Sequence, residues 1–292
     1  MVDVSTPPPR VSVIIIFLNE ARFLAETVES VRAQSFADWE LILVDDGSTD
    51  GSSEMARGFA DGERIRYLEH PCHANRGMSA SRNAGLAAAR GEFIAFLDAD
   101  DIWPAEKLAE QVALFDAAPE TDMVYGRAWI WHSWDPTSRT KDYFYDLGVP
   151  PGKLYAPGEL LPLLIRNRAQ TPMSGNAIMR RALAERVGGF EETFRGMFED
   201  QAFFAKTHLV SRCHVDDRFW LFYRQHGASC TAQSAGSLKD LTARGRFLRW
   251  LAAYLRRSGA YGAAVRWAML RAWLSLGVGV AHLSARRLLG RA

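Results

Sequence analysis

The sequence has few of the features that mark disulfide-linked or secreted proteins. It contains three cysteines in 292 residues, and Cys72, Cys213 and Cys230 lie far apart with no C-x-x-C pair. Disulfide frameworks and thiolate zinc sites need suitably spaced cysteines, so we predict neither, and we favour a reducing compartment. Residues 1–10 have no basic start, and the apolar run Val11–Leu18 ends at two polar residues, so we expect no signal peptide.

Long hydrophobic runs and an overall excess of charge are also missing. Ala272–Leu283 is mostly apolar, but a spanning helix needs about 20 such residues. The net charge is only +1, yet eleven basic residues against Asp240 give the chain from Lys239 onward +10, leaving −9 for the rest. We therefore predict a cytoplasmic protein whose basic tail contacts the inner face of a membrane. The alternative is a helical pair packed on the main domain with solvated arginines.

What the chain does contain is enough apolar material, 48% of residues, for a large core. Short β-branched apolar runs alternate with helix-period segments over the first 126 residues. The runs are Val11–Leu18, Leu41–Val44, Ile65–Leu68, Phe93–Leu97 and Met123–Gly126. This order predicts an α/β fold with a doubly wound, mostly parallel sheet flanked by helices.

The remaining chain is less periodic. Residues 129–172 read as pocket-shaping loops, followed by a short helix at 183–187, a helix at 201–208 and a strand at 219–223. We predict a flexible N-terminus at 1–10 and one domain at 11–235, divided at residue 126 into two halves. Residues 236–292 form a basic helical extension.

Polar residues follow three of the predicted strands. They are Asn19-Glu20, Asp45-Asp46 and Asp98–Asp101, and parallel strands place such groups along one ligand-binding edge. The closely spaced carboxylates of Asp98–Asp101 repel unless a cation lies between them, and hard divalent cations prefer oxygen ligands. The alternative is an N-cap cluster for a helix starting near Pro104.

A second acidic turn is Val44–Asp50, which reads V-D-D-G-S-T-D. A carboxylate there can accept a hydrogen bond from the imide N–H of a nucleobase. Ordinary turn chemistry is the alternative, because Asp, Gly and Ser all favour turns.

Four segments in succession carry a family resemblance. They read V-S-V-I-I-I-F-L-N-E from Val11, V-D-D-G-S-T-D from Val44, G-M-S-A-S-R-N-A-G from Gly77 and F-L-D-A-D-D from Phe96. Together they resemble the family 2 glycosyltransferases of GT-A-type fold. The resemblance implies an inverting enzyme that uses a nucleotide-sugar donor, with a UDP-sugar favoured, and a carbohydrate or lipid-linked hydroxyl acceptor. It also implies a divalent metal, Mn²⁺ or Mg²⁺.

The resemblance implies that residues 11–126 are the nucleotide-sugar-binding half of the domain and residues 127–235 the acceptor and catalytic half. It also assigns donor-side roles to particular residues. Asp46 matches the contact to the base, Asp98 the ribose and metal contacts, and Asp100 the metal ligand. Arg82 matches a nucleotide-side contact, for which a surface cation on a helix is the alternative. Ile16 and Leu18, at the end of the first predicted strand, can pack against the base, and Glu20 follows them on the nucleotide side. Many members have Pro and Tyr where Ile16 and Leu18 stand.

Two later segments also match the family pattern. Phe198-Glu199-Asp200 matches an acidic pair whose aspartate is the catalytic base, which points to Asp200. A helix N-terminal acidic pair is the alternative. Tyr223-Arg224-Gln225-His226 matches a segment in which His226 completes the metal shell and Arg224 faces phosphate. A structural histidine is equally compatible.

We predict that three further residues lie on the acceptor side: Glu199, Asn176 and Trp131. The Q-x-x-R-W motif of processive synthases is absent from the sequence, which favours single transfers. A sugar-phosphate nucleotidylyltransferase is disfavoured because Phe17–Arg22 contains no glycine. The other alternative is a non-catalytic protein that binds nucleotide-sugars. Nucleic acid is not an expected partner, since the body of the chain is acidic.

Overall fold

The computed structural model describes residues 7–229, residue 232 and residues 237–288. Cys230, the predicted domain boundary at 235, residues 1–6 of the predicted flexible N-terminus and residues 289–292 of the extension lie outside them. The first part of the chain comprises β1 Val11–Phe17, α1 Leu24–Arg32, β2 Trp39–Asp45, α2 Ser52–Phe59, β3 Ile65–Glu69, α3 Met78–Ala88, β4 Phe93–Asp98, α4 Lys107–Ala117 and β5 Met123–Trp131.

The second part of the chain has shorter strands and longer helices. It comprises β6 Tyr143–Phe144, β7 Lys153–Tyr155, α5 Leu161–Arg166, β8 Ala177–Arg180, α6 Arg181–Arg186, α7 Glu199–Val210, β9 Cys213–Arg224, α8 Leu238–Arg257 and α9 Ala263–Leu288. The segment 129–172, predicted as loops, therefore contains two short strands, a helix and the end of β5.

One sheet joins both parts in the order β3-β2-β1-β4-β8-β5-β9-β7, with β6 paired to β5. Strands β3, β2, β1 and β4 are parallel, as predicted. Beyond β4 the sheet is mixed, because β8 runs antiparallel to both β4 and β5. The register sets Phe17 beside Asp45 and Ile16 beside Asp98, so the three strands end nearly level.

The apolar runs of the sheet are continuous because both faces of the central strands are buried. Ile14 and Ile16 pack into the cluster under α3, whereas Val13 and Ile15 pack into the cluster under α1 and α4. Helix α3 lies so close to β1 that a Cβ on Gly85 would stand 2.5 Å from Ile14 Cγ2. This close packing fixes the start of α3 relative to the strand ends.

The two helices on either side of β4 have clear limits. Helix α3 ends at Ala88 with an extended Ala89. Gly91 follows in the turn before β4, where a Cβ would lie 2.6 Å from Ser12 N. Helix α4 begins at Lys107 without a side-chain cap, so the acidic run at Asp98–Asp101 does not cap a helix near Pro104.

The basic extension packs on the domain. The apolar faces of α8 and α9 join the core cluster under α3 through Phe247, Leu251, Leu255, Met269 and Leu276. Among the described residues, no helix combines the length and apolar content needed to cross a membrane.

Candidate active site

The loops after β1 and β2 are bonded to each other. The backbone N–H of Asn19 donates to Ser48 Oγ at 3.0 Å, and Thr49 N–H donates to Asn19 Oδ1 at 2.7 Å. Glu20 N–H donates to Ser52 Oγ at 2.9 Å. These bonds hold the polar ends of two neighbouring strands together, as parallel strand order predicts.

Asp46 connects the end of β2 to the start of α3. Its Oδ1 accepts from Arg76 N at 2.8 Å, from Gly77 N at 3.0 Å and from Ser81 Oγ at 3.0 Å. Among the described residues, Oδ2 accepts only from Gly77 N, so it keeps capacity for another donor. The carboxylate is 4% exposed and is held rigidly at the edge of the sheet.

Asp45, Glu69 and His73 form a second cluster, in which one ligand atom from each lies within 4.8 Å of the others. Each of these groups already has protein partners. Asp45 Oδ2 accepts from Tyr67 Oη, Glu69 pairs with Arg57, and a His73 ring nitrogen lies 2.8 Å from the Ser48 carbonyl. We interpret this cluster as a brace for the D-D-G-S turn rather than as a metal centre.

Arg82 is buried and bridges two acidic segments. Its Nη2 donates to Asp98 Oδ1 at 2.8 Å and its Nη1 donates to Glu199 Oε1 at 2.9 Å. The side chain is only 3% exposed, so the alternative of a surface cation on a helix is wrong. One guanidinium therefore ties the end of β4 to the start of α7.

Asp100 and His226 face each other at the end of the sheet, with His226 Nε2 3.0 Å from Asp100 Oδ2. The other ring nitrogen, Nδ1, is buried and has no hydrogen-bond partner among the described residues. The imidazole packs against Phe23, with ring centroids 4.9 Å apart. Carboxylate oxygens and imidazole nitrogens are both groups that can ligate divalent metals.

Burial raises the pKa values of two carboxyl groups at this edge, Glu20 and Asp98. Burial, followed by the neighbouring Asp100 carboxylate, raises the pKa of Glu20 to about 7. Burial also raises the pKa of Asp98, against the opposing effect of Arg82. Carboxyl groups with raised pKa values favour binding of a cation, which would stabilise their ionised forms.

Asp101 is fully buried and has a structural contact that the sequence did not predict. Its Oδ1 accepts from the backbone N–H of Arg224 at 2.8 Å, and Arg224 Nε donates back to the Asp100 carbonyl at 2.7 Å. The Arg224 guanidinium lies 4.7 Å from the Phe23 ring and 4.8 Å from the Trp131 ring. Arg224 thus anchors the backbone of Asp100, and the predicted phosphate contact is not its role in this arrangement.

Glu199 and Asp200 open α7, immediately after Phe198, which has a left-handed φ of 72°. Burial, followed by the Asp200 charge, raises the pKa of Glu199 to about 7. Burial likewise raises the pKa of Asp200, whose Oδ1 accepts from Gln201 N at 2.6 Å. Glu199 is held by Arg82, whereas Asp200 is half-buried and unpaired by any salt bridge among the described residues.

Comparison with known proteins agrees with this geometry. The model of glycosyl transferase family 2 matches residues 12–188. The chain belongs to this family. An uncharacterized glycosyltransferase from Nostoc is 29% identical over 235 residues, which is 80% of this chain and 70% of the relative. Other curated relatives match over shorter segments; the putative glycosyltransferase EpsE from Bacillus subtilis, for example, is 41% identical over 110 residues, which is 37% of this chain and 39% of EpsE.

Solved structures confirm the GT-A-type fold. Residues 1–349 of S. aureus TarS, in complex with UDP-GlcNAc, match with a TM-score of 0.64 at 22% identity, covering 84% of this chain and 66% of that one. The mannosyltransferase PcManGT from Pyrobaculum calidifontis, in complex with GDP-Man and Mn²⁺, matches with a TM-score of 0.57 at 22% identity. That match covers 98% of this chain and 82% of PcManGT.

The other predicted residues of this family 2 glycosyltransferase lie in two environments. Leu18 is 39% exposed beyond β1, whereas Ile16 is 8% exposed and belongs to the core. Trp131 lies at the end of β5 beside Arg224. Asn176 is fully buried, and its amide donates to Gly126 O at 2.8 Å and accepts from Met173 N. Asn176 therefore positions backbone and does not face an acceptor.

Sequence reasoning missed Glu26 and gave no role to Phe23. Glu26 accepts from Arg224 Nη2 at 2.6 Å, and Phe23 contacts both Arg224 and His226. Both belong to the helical segment after β1, where the pattern showed only an apolar face. Their partners come from the other end of the domain, so no local signal could have identified them.

Proposed function

We propose that this glycosyltransferase moves a sugar from a UDP-sugar to a hydroxyl acceptor by a single, inverting displacement, with Asp200 as the base. The observation that carries the proposal is the Arg82 bridge between Asp98 and Glu199. It brings the donor-side motif and the acidic pair of α7 to opposite ends of one guanidinium. A leaving group and a base must lie this close for direct displacement.

The donor diphosphate is held, in this proposal, with a divalent metal, Mn²⁺ or Mg²⁺. Asp98, Asp100 and His226 would hold the ion, since His226 Nε2 lies 3.0 Å from Asp100 Oδ2 and Asp98 stands two residues before Asp100 at the end of β4. When bound, the cation neutralises charge that develops on the departing diphosphate. Arg224 keeps Asp100 in place through its bond to the Asp100 carbonyl.

The nucleoside would lie at the ends of β1 and β2. Asp46 Oδ2 has capacity to accept from an imide N–H, which uracil carries. Leu18 is the exposed apolar side chain beside it, with Ile16 in the core beneath. The UDP-GlcNAc complex of TarS, which shares this fold, supports UDP as the nucleotide.

Asp200 is the better base of the acidic pair. Glu199 is 6% exposed and its carboxylate is bound by Arg82, so it cannot reach an acceptor without breaking that bond. Asp200 is more exposed and lies in the first turn of α7. Its raised pKa makes it a stronger proton acceptor than an ordinary aspartate.

The first test compares Asp200→Asn with the wild type. We expect transfer to fall by at least about 100-fold, as for loss of a general base. Nucleotide-induced thermal shift should stay unchanged, because Asp200 holds no part of the donor. Asp240→Asn, in the first turn of α8, is the matched control and should keep full activity. Loss of nucleotide binding in Asp200→Asn would contradict its role as base.

A panel of nucleotide-sugars with and without Mn²⁺ or Mg²⁺ separates this proposal from its alternative. An enzyme hydrolyses or transfers its donor slowly in a metal-dependent manner, whereas a non-catalytic binding protein shows thermal shift alone. No metal-dependent response to any nucleotide-sugar would overturn the proposal.

We also propose that α9 rests on an anionic membrane surface. Its solvent side carries Trp267, Leu274 and Val278, which are 55%, 62% and 71% exposed. Arg266 and Arg271 are exposed on the same helix. Apolar and aromatic groups beside arginines are typical of interfacial helices. A cytoplasmic protein at the inner face of the membrane, acting on carbohydrate or lipid-linked acceptors, is consistent with this surface.

A further inference from the structure

A groove of about 430 Å³ lies between α4, β5 and β9, outside the carboxylate site. Its walls include Phe144, Phe219, Arg127, Asp217 and Glu106. Ligand pockets of proteins usually measure about 300–1,000 Å³, so the groove is large enough for a small ligand. No residue of the proposed transfer reaction lines it.

An aromatic row leads away from the groove. Ring centroids are 5.9 Å apart for Phe144 and Phe219, 5.2 Å for Phe219 and Phe222, and 5.4 Å for Phe222 and Trp131. Phe144 and Phe219 are each 37% exposed, an unusual state for phenylalanine in a domain with an ample core. The two exposed rings at the groove end of the row offer apolar surface on which a ligand can pack.

The aromatic row ends at the carboxylate site. Trp131 lies 4.8 Å from the Arg224 guanidinium, and Arg224 Nε donates to the Asp100 carbonyl. A molecule lying along the row would therefore have one end beside the proposed donor site. This continuity makes the acceptor the natural occupant.

The charges of the groove indicate what kind of acceptor it is. Arg127 pairs with Asp217 at 2.6 Å, and Arg218 lies 3.8 Å from Glu110. The groove thus contains the carboxylates of Glu106, Glu110 and Asp217 and the guanidinium groups of Arg127 and Arg218. This excess of negative charge disfavours binding of a polyanion. Carboxylate and guanidinium groups beside aromatic rings suit hydroxyl-rich ligands with apolar ring faces.

We infer that the groove and the aromatic row bind the neutral oligosaccharide part of the acceptor, several sugar units away from the hydroxyl that is glycosylated. This inference rests on the proposed transfer function. The saccharide stacks on Phe219 and Phe144, and its hydroxyls bond to the charged side chains of the groove. Binding at this distance gives longer acceptors an affinity that single sugars lack.

The test uses the full chain without nucleotide. A printed array of neutral and anionic bacterial oligosaccharides identifies ligands, and titration calorimetry measures their affinity. We expect neutral oligosaccharides to bind, and Phe219→Ala and Phe144→Ala each to weaken them about threefold to tenfold. Phe219→Tyr should retain binding. Trp267→Ala, which removes an exposed aromatic ring from α9, is the matched control and should bind as the wild type does.

Donor hydrolysis, measured with UDP-GlcNAc and Mn²⁺, distinguishes this inference from the proposed function. Phe219→Ala should leave hydrolysis unchanged, since the residue is remote from the carboxylates. Absence of neutral ligands on the array, or equal affinities of wild type and Phe219→Ala, would overturn the inference even if hydrolysis is intact. Glycan binding without any donor response would instead overturn the transfer function alone.

Discussion

Arg82 is the residue on which both halves of the candidate site depend. It is the cation shared by Asp98 and Glu199, and it lies 5.4 Å from the Phe190 ring. Breaking a buried ion pair leaves an uncompensated charge, so loss of Arg82 would affect both carboxylates. Its sequence neighbourhood is an ordinary Ala-rich helix, which is why the segment alone could not distinguish a buried bridge from a surface cation.

Glu199 gives a prediction for the pH dependence of stability. Its pKa is about 7 in the folded chain against 4.5 for an ordinary glutamate, so the folded state binds its proton more tightly. Its contribution to the free energy of unfolding is therefore full below about pH 4.5 and is lost as pH rises through about 7. We expect Glu199→Gln to flatten the decline of melting temperature between about pH 5 and pH 8.

Thermal unfolding of wild type and Glu199→Gln in metal-free buffer provides the measurement. Glu192→Gln, which alters an exposed carboxylate close to Glu199 in sequence, serves as the control and should leave the decline as it is. Identical pH profiles for wild type and Glu199→Gln would show that Glu199 is ionised throughout this range.

At the scale of elements, the turn between β2 and α2 packs against the loop that follows β3. Gly47 has a φ of +91°, and a Cβ there would lie 2.8 Å from the His73 carbonyl oxygen. His73 belongs to the segment after β3, which also has a positive φ at Cys72. The D-D-G-S turn that positions Asp46 therefore depends on two strained loops packed against each other.

Gly47→Ala should destabilise the protein through both strain and collision. Gly51→Ala is the matched control, since Gly51 has a φ of +96° but no atom within 4 Å of its Cβ position. We expect each substitution to lower the free energy of unfolding by about 1–3 kcal/mol through backbone strain. The Gly47 variant should lose more and should also bind nucleotide more weakly. Equal losses in chemical denaturation would show that His73 moves aside.

The elements themselves differed in how far sequence predicted them. β1, β2 and β4 were predictable because strands buried on both faces are continuously apolar. β8 was not, since Ala177–Arg180 is four residues long and becomes a strand only through its pairing with β4 and β5. The carboxylates at strand ends followed from parallel order, whereas the bonds among Asp101, Arg224 and Glu26 join distant segments and required the structure.

At the scale of the whole molecule, the chain carries apolar surface on two sides. One is the aromatic row, and the other is the solvent side of α9. The inner side of α9 is also apolar, with Val265, Ala268 and Met269 buried in the core cluster. Apolar side chains that remain exposed on a helix already packed through its other side mark a surface for interaction.

Co-sedimentation with vesicles tests the membrane proposal. We expect the chain to bind vesicles rich in phosphatidylglycerol and to bind neutral phosphatidylcholine vesicles weakly. Leu274→Ser should reduce binding about 30-fold, since burying a leucine contributes about 2 kcal/mol. Val210→Ser, which alters an exposed apolar residue at the end of α7, is the control. Unchanged binding in Leu274→Ser would mean that the exposed apolar side of α9 does not contact the membrane.

The position of β8 has a consequence for how the chain is made. β4 pairs with β8 on its outer side, and β8 follows β5, β6, β7 and α5 in the chain. The outer edge of β4 therefore has no partner strand until all of these elements have been synthesised. During translation the first four strands therefore expose an unpaired, apolar edge for as long as that synthesis takes. Such edges promote aggregation, so shielding of the nascent chain by chaperones should determine how much active protein accumulates in the cell.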